Sequence, residues 1–307
     1  MERHPNFIND KRVAGSNLCS LDYMEIKMSD PFQNVDNAGI SFAQTTAETM
    51  ELRQSEPIME SLVLNYLKQL EFKKNSLSVE IGCGAGSISR RISKHVEAGQ
   101  VLGFDPSANY IEMAKKNSKD YNNLSFSVTD GKVIPLEDGA VDNVIFHTVL
   151  SHVPEPNLLV AEAYRLLRSG GKMVICDADF SKATLKCCPD DPLAIASASF
   201  VRSHVTDPHL LKKIKPLISD VGFKIEHFEV TSRVVTGNGM RMWVEAAGKG
   251  MLERNEIGST LADALLAEYD RRVQNETLYG FLPSSTFIVK HNEPKVNRCK
   301  NKSIEKR

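Results

Sequence analysis

The feature that most constrains this chain is the regular alternation of short apolar runs with helical patterns between Leu77 and Phe180. Residues 77–81 read as a buried strand, and Ile88, Ile92 and Val96 then mark one face of a helix. The unit repeats. Residues 101–104 form a second strand, Ser107 caps a helix through Ile111 and Ala114, and residues 124–128 and 141–146 supply the third and fourth strands. A helix over 156–168, closed by Gly170 and Gly171, leads to a fifth strand over 172–176. Crossovers of this length return the chain to the same side of a sheet, so the pattern predicts a doubly wound, mostly parallel α/β sheet with helices on both faces.

Outside that span the pattern changes. Met59, Leu62, Val63, Tyr66 and Leu70 recur at helical spacing and predict an N-terminal helical extension. After Phe180 a helix over 210–221 stops at Gly222, a strand follows over 225–230, helical patterns cover 240–252 and 257–273, and a last strand covers 286–289. The expected organisation is a flexible polar arm over 1–37 and a domain over 38–290 with its core at 75–180. Helical insertions or a lid are expected at 181–208 and 231–283, and a disordered basic tail over 291–307.

A formal net charge of −1 leaves no surplus of Lys and Arg for a polyanion, so nucleic acid is not an expected partner. The six cysteines show no C-x-x-C spacing and are expected as reduced thiols. Neither a signal-peptide apolar region nor a membrane span is visible, so a cytoplasmic location is the expectation.

Glu80-Ile81-Gly82-Cys83-Gly84-Ala85-Gly86 follows a strand and opens a helix, so backbone amides can approach a ligand at the helix N-terminus. The spacing is G-x-G-x-G, not the G-x-G-x-x-G of a dinucleotide site. Asp105, followed by Pro106, ends the second strand, and Asp130, followed by Gly131, comes after the third. Both acids lie where such a sheet binds ligand, beyond the carboxyl ends of its strands. An acid at the first position can accept two ribose hydroxyls and an acid at the second an adenine amino group, which together describe an adenosine. The alternative for Glu80, Asp105 and Asp130 is a purely structural use as strand-end and capping carboxylates.

With Leu166-Leu167-Arg168-Ser169-Gly170-Gly171, these motifs resemble the class I (Rossmann-like) S-adenosylmethionine-dependent methyltransferases, especially the ubiquinone/menaquinone C-methyltransferase branch. The resemblance implies S-adenosyl-L-methionine as cofactor. It implies that Glu80 and the Gly82 to Gly86 loop hold the methionine part, Asp105 the ribose and Asp130 the adenine. The expected activity is methyl transfer to an O, N or C atom of a small-molecule acceptor.

Methyl transfer from a sulfonium is an in-line displacement, and a base is needed only where the acceptor must lose a proton. His147, directly after the fourth strand, and His152, about one turn later, are the candidate bases. Of the two, His147 is the first candidate for the base and also borders the cofactor position, whereas His152 reads first as a hydrogen-bonded structural histidine. Asp177 and Asp179, two apart at the end of the fifth strand, would project to one side and anchor an acceptor. Arg53, Trp243 and Tyr279 are further acceptor candidates from the flanking segments. No metal is expected, because His147 stands where an oxygen ligand would be needed. Two other readings stay open: a protein or nucleic-acid methyltransferase, and a non-catalytic domain that binds S-adenosylmethionine or serves as a scaffold.

Overall fold

The computed structural model describes residues 30–292, apart from residues 71 and 97. The first 29 positions of the expected arm and the tail from residue 293 lie outside the described residues. The described chain enters through three helices, α1 (Val35–Ala38), α2 (Ile40–Ser55) and α3 (Pro57–Lys68). The alternation then follows as β1 (Leu77–Ile81), α4 (Ser87–His95), β2 (Gln100–Asp105), α5 (Ala108–Asn117), β3 (Leu124–Val128), β4 (Val141–His147), α6 (Pro156–Leu166) and β5 (Leu167–Ala178). Beyond it come α7 (Leu193–His204), α8 (Ile214–Val221), β6 (Phe223–Val235), α9 (Arg241–Glu253), α10 (Ser259–Gln274) and β7 (Gly280–His291).

Among the described residues the strands form one seven-stranded sheet, ordered β3-β2-β1-β4-β5-β7-β6. β1 to β5 run parallel, and β7 runs antiparallel to both β5 and β6. Chain order reverses between β1 and β4. Crossovers leave these two strands on opposite sides, which opens a crevice at their carboxyl ends.

Burial alternates with the pleat. Val144, Phe146, Met173, Ile175, Phe287 and Val289 join the core under α6 and α8, whereas Ile145, Val174, Cys176 and Ile288 join the core under α3 and α4. Successive residues therefore serve opposite faces, and both faces are covered, which is why these strands read as unbroken apolar runs. A separate cluster joins α7, α9 and α10 around Phe180, Phe200, Trp243 and Tyr269, over the β7 end of the sheet. The Tyr269 hydroxyl donates to Gly237 O at 2.6 Å and accepts from Met240 N at 3.2 Å, tying α10 to the start of α9.

Three of the boundaries that differ from expectation have a visible cause. Residues 30–37 do not belong to a loose arm: Asp36 accepts from Ser107 Oγ at 2.6 Å and from Ala108 N at 2.8 Å at the N-terminus of α5. Burial works against the Asp36 charge, but those donors outweigh it and hold the carboxyl below its usual range. α6 ends at Leu166 and not at residue 168, because buried Leu167 already pairs with Val141 and Arg168 Nε reaches Asp142 Oδ1 at 2.6 Å. β6 is much longer than 225–230, since β7 pairs with it from Phe223 to Val235. Its solvent-facing Lys224 and Glu226 mask an edge strand in the sequence.

Candidate active site

The loop between β1 and α4 is built against the end of β2. Gly82 N and Cys83 N donate to Phe104 O at 2.7 and 2.9 Å, and Gly84 N donates to Asp105 Oδ2 at 2.8 Å. Two of its glycines have no substitute. Gly82 holds φ +75°, and a Cβ there would stand 2.6 Å from Val149 Cγ2; Gly86 holds φ +81°, and its Cβ would stand 2.8 Å from Phe126 Cζ.

Asp105 is buried and also accepts from Ser107 N at 2.9 Å. Burial pushes its carboxyl up to about 6, against the pull of the Ser107 and Gly84 amides. Each carboxylate oxygen keeps acceptor capacity beyond these backbone bonds. Glu80, at 1% exposure, accepts from Ser89 Oγ, and burial pushes it up to about 8. Burial therefore favours its protonated form near neutral pH.

A cavity of about 170 Å³ lies at the carboxyl ends of β1 and β4, roofed by α2 and α9. It brings together Glu80, Gly82, Cys83, Gly84, Asp105, Pro106, His147, His152, Arg53 and Trp243 of the residues singled out from sequence. Arg53 Nε is buried without a hydrogen-bond partner, and burial with the neighbouring Arg233 charge lowers its guanidinium to about 10. Arg233 itself is neutralised by Glu56 through two contacts of 2.6 Å. Among the described residues, the Arg53 guanidinium has no such partner.

The two histidines differ. His147 Nδ1 lies 3.2 Å from Tyr66 Oη and its Nε2 is buried without a partner. Burial, then Arg53 and Arg91, lowers its imidazole to about 3, so the ring is neutral at physiological pH and a poor proton acceptor. His152 instead places Nδ1 2.8 Å from Asp30 Oδ2, with its ring between Phe32 and Phe180 at centroid distances of 4.9 and 5.5 Å. Trp243 stacks on Phe200 at 4.3 Å and on Phe180 at 5.9 Å, closing the apolar end.

Other predicted residues lie outside this cavity. Gly86 packs beneath the loop, Gly131 is pressed against Ile81, and Asp130 is exposed beyond β3, accepting from Lys132 N at 3.0 Å. Asp177 is buried and accepts from Ser151 Oγ at 2.7 Å and Ser151 N at 3.2 Å. Asp179 lies past Ala178, the end of β5, and accepts from Ser181 Oγ at 2.5 Å. The strand alternation expected to align the two acids has ended between them, so they do not form a pair facing the cavity. Tyr279 is exposed. Cys187 and Cys188 meet Asp191, whose carboxylate is already taken by Arg272 at 2.6 Å.

Sequence reasoning missed Asp30, Phe32, Met50, Phe200 and Arg233, all but one of which line the cavity; Asp30 reaches it through His152. An Asp before Pro is a start signal for a short helix, which Asp30 caps here through Phe32 N at 3.0 Å.

Comparison with known proteins agrees with this geometry. The family described as "Methyltransferase domain" matches residues 79–175. The chain is 29% identical over 192 residues to an uncharacterized 37.1 kDa protein in transposon Tn4556 of Streptomyces fradiae, covering 61% of this chain and 52% of the relative. It is 32% identical over 111 residues to demethylmenaquinone methyltransferase of Staphylococcus saprophyticus, covering 36% of this chain and 47% of the relative. The matches thus span about half the length of these relatives. Among solved structures, phosphoethanolamine N-methyltransferase 2 of Haemonchus contortus superposes with a TM-score of 0.55 at 16% identity, covering 86% of this chain and 60% of that one, a likeness of fold alone. Residues 79–175 therefore match a methyltransferase domain, and the fold and motifs resemble those of the class I, Rossmann-like type, with similarity to a quinone methyltransferase.

Proposed function

We propose that the protein transfers the methyl group of S-adenosylmethionine to a small-molecule acceptor. The observation that carries this reading is the convergence of Glu80, Asp105 and the unpartnered Arg53 on one cavity at the reversal of strand order. These groups fit the cofactor's needs. Asp105 offers remaining acceptor capacity to a pair of ribose hydroxyls. Glu80, protonated while the cavity holds no cation, becomes a carboxylate for an ammonium. Arg53 supplies the counter-charge for a carboxylate. Asp130, beyond the cavity at the end of β3, is the candidate for the adenine amino group.

When bound, the cofactor supplies an electrophilic methyl group. The chain's own contribution is to hold an acceptor in line with it and to keep water out, which the aromatic end of the cavity around Trp243 favours. A net charge of −1 supports a small acceptor over a nucleic acid. Among the described residues no helix is long and apolar enough to cross a membrane, and Cys83, Cys176, Cys187 and Cys188 are free thiols, which supports a cytosolic setting.

The test is calorimetry with S-adenosylmethionine, followed by mass spectrometry of a metabolite extract incubated with protein and methyl-labelled cofactor. Micromolar binding and a labelled small-molecule product are expected. A folded protein that binds no cofactor overturns the reading.

A further inference from the structure

We propose that His152 is the general base that takes a proton from the acceptor, with Asp30 as its positioning residue, and that the acceptor is a flat, apolar molecule bearing an acidic hydroxyl. This inference rests on the methyl-transfer reading above.

The dyad is built like an oriented catalytic histidine. Asp30 is 3% exposed, and its carboxylate is fixed by more than the imidazole: Oδ1 accepts from Phe32 N at 3.0 Å, and Oδ2 accepts from Thr206 N and Thr206 Oγ1, each at 3.0 Å. With Asp30 Oδ2 2.8 Å from Nδ1, the proton of the neutral ring sits on Nδ1 and the lone pair on Nε2. Nε2 makes no hydrogen bond among the described residues, and His152 lines the cavity. Phe32 and Phe180 hold the ring from two sides, at 56° and 78° to its plane. The other charged or titratable groups that act on this pair are Asp177 of β5, tied to Ser151, and His204 of α7.

The walls identify the chemistry of the acceptor. Phe32, Phe180, Phe200, Trp243 and Leu282 line the same cavity as His152, which suits a planar apolar body with its reactive group turned to the imidazole. A hydroxyl is a weak nucleophile until it loses its proton. In the proposed step the acceptor O–H bond breaks as the proton moves to His152 Nε2. The oxygen lone pair forms the new bond to the methyl carbon, and the methyl–sulfur bond breaks with its electron pair remaining on sulfur. The imidazolium, stabilised by Asp30, then returns the proton to solvent. His147 cannot take this part, since Tyr66 occupies one nitrogen and the other is buried.

The experiment uses the full chain, methyl-labelled S-adenosylmethionine and 2-naphthol as probe, with kcat measured from acid to alkaline pH. His152→Gln keeps a donor toward Asp30 but has no base, and should lower kcat by about 10²- to 10⁴-fold with cofactor affinity retained. His152→Ala should show the same loss, partly restored by added imidazole, which a merely structural histidine would not allow. Asp30→Asn should displace the acidic limb of the kcat profile. Wild-type kcat in folded His152→Gln, or a wild-type protein that binds cofactor but leaves 2-naphthol unmethylated, overturns this inference alone. A wild-type protein that binds no cofactor overturns the methyl-transfer reading beneath it.

Discussion

The carboxylate of Asp105 accepts a hydrogen bond from the backbone N of Gly84 at 2.8 Å, so the acid that ends β2 also shapes the loop that follows β1. The side chain proposed to receive a ribose therefore also organises the amides of the loop after β1. Loop and acid form one unit, and a change in either reaches the other.

Asp105→Ala should weaken S-adenosylmethionine binding by about 1 to 3 kcal/mol, because a charged acceptor is lost from a buried site. It should also destabilise the unliganded protein by stranding the Gly84 and Ser107 amides. Calorimetry and denaturant unfolding read the two effects. Unchanged affinity in a folded variant would refute the assignment.

Gly82→Ala should cost stability by about 1 to 3 kcal/mol, since it combines positive φ with a methyl group 2.6 Å from Val149. Urea unfolding of the variant measures this directly. A neutral substitution would mean that the loop relaxes freely around Val149.

Glu80 ties stability to pH. Its folded value of about 8 lies above the ordinary 4.5, so the folded state binds the extra proton and stability is lost as pH rises through that window. His147, at about 3 against 6.5, acts in the opposite sense but only below about 6.5. Between roughly pH 6.5 and 8 the unliganded protein should lose about 1 to 2 kcal/mol, and Glu80→Gln should flatten this slope. Thermal melts at the two pH values provide the comparison.

His147→Ala should leave the pH dependence of kcat intact, because a neutral buried imidazole carries no proton across the physiological range. Its cost appears as stability, about 1 to 3 kcal/mol, through the loss of a partner for the buried Tyr66 hydroxyl. Disappearance of the acidic limb in this variant would restore His147 as the base.

Deleting residues 1–27 should preserve folding and cofactor binding. Extending the deletion through residue 36 removes the Asp30–His152 contact and the Asp36 cap on α5, and should lower stability by about 1 to 3 kcal/mol. Parallel melts of the two truncations distinguish them. Equal stability would show that this segment contributes nothing to the fold.

Particular residues show how far pattern reasoning reaches. Glu80, Gly82 and Asp105 were legible because β1 and β2 are short apolar runs, and the residue that ends each strand is local in sequence. Asp179 misled because residue spacing carries side-chain direction only while a strand lasts, and β5 stops at Ala178. Asp30 was illegible because its partner His152 lies 122 residues away.

What the sequence determined by itself is the parallel α/β frame and the cavity-lining ends of β1 and β2, because periodicity, turn glycines and strand-end acids act over a few residues. Only the tertiary structure decided how the two histidines differ in burial and partners. His147 and His152 stand five positions apart in similar apolar surroundings. Desolvation, with the nearby charges of Arg53 and Arg91, keeps the first neutral, whereas Asp30 orients the second. Both effects arise from groups that are remote in the chain and adjacent only after the N-terminal segment packs over the carboxyl edge of the sheet.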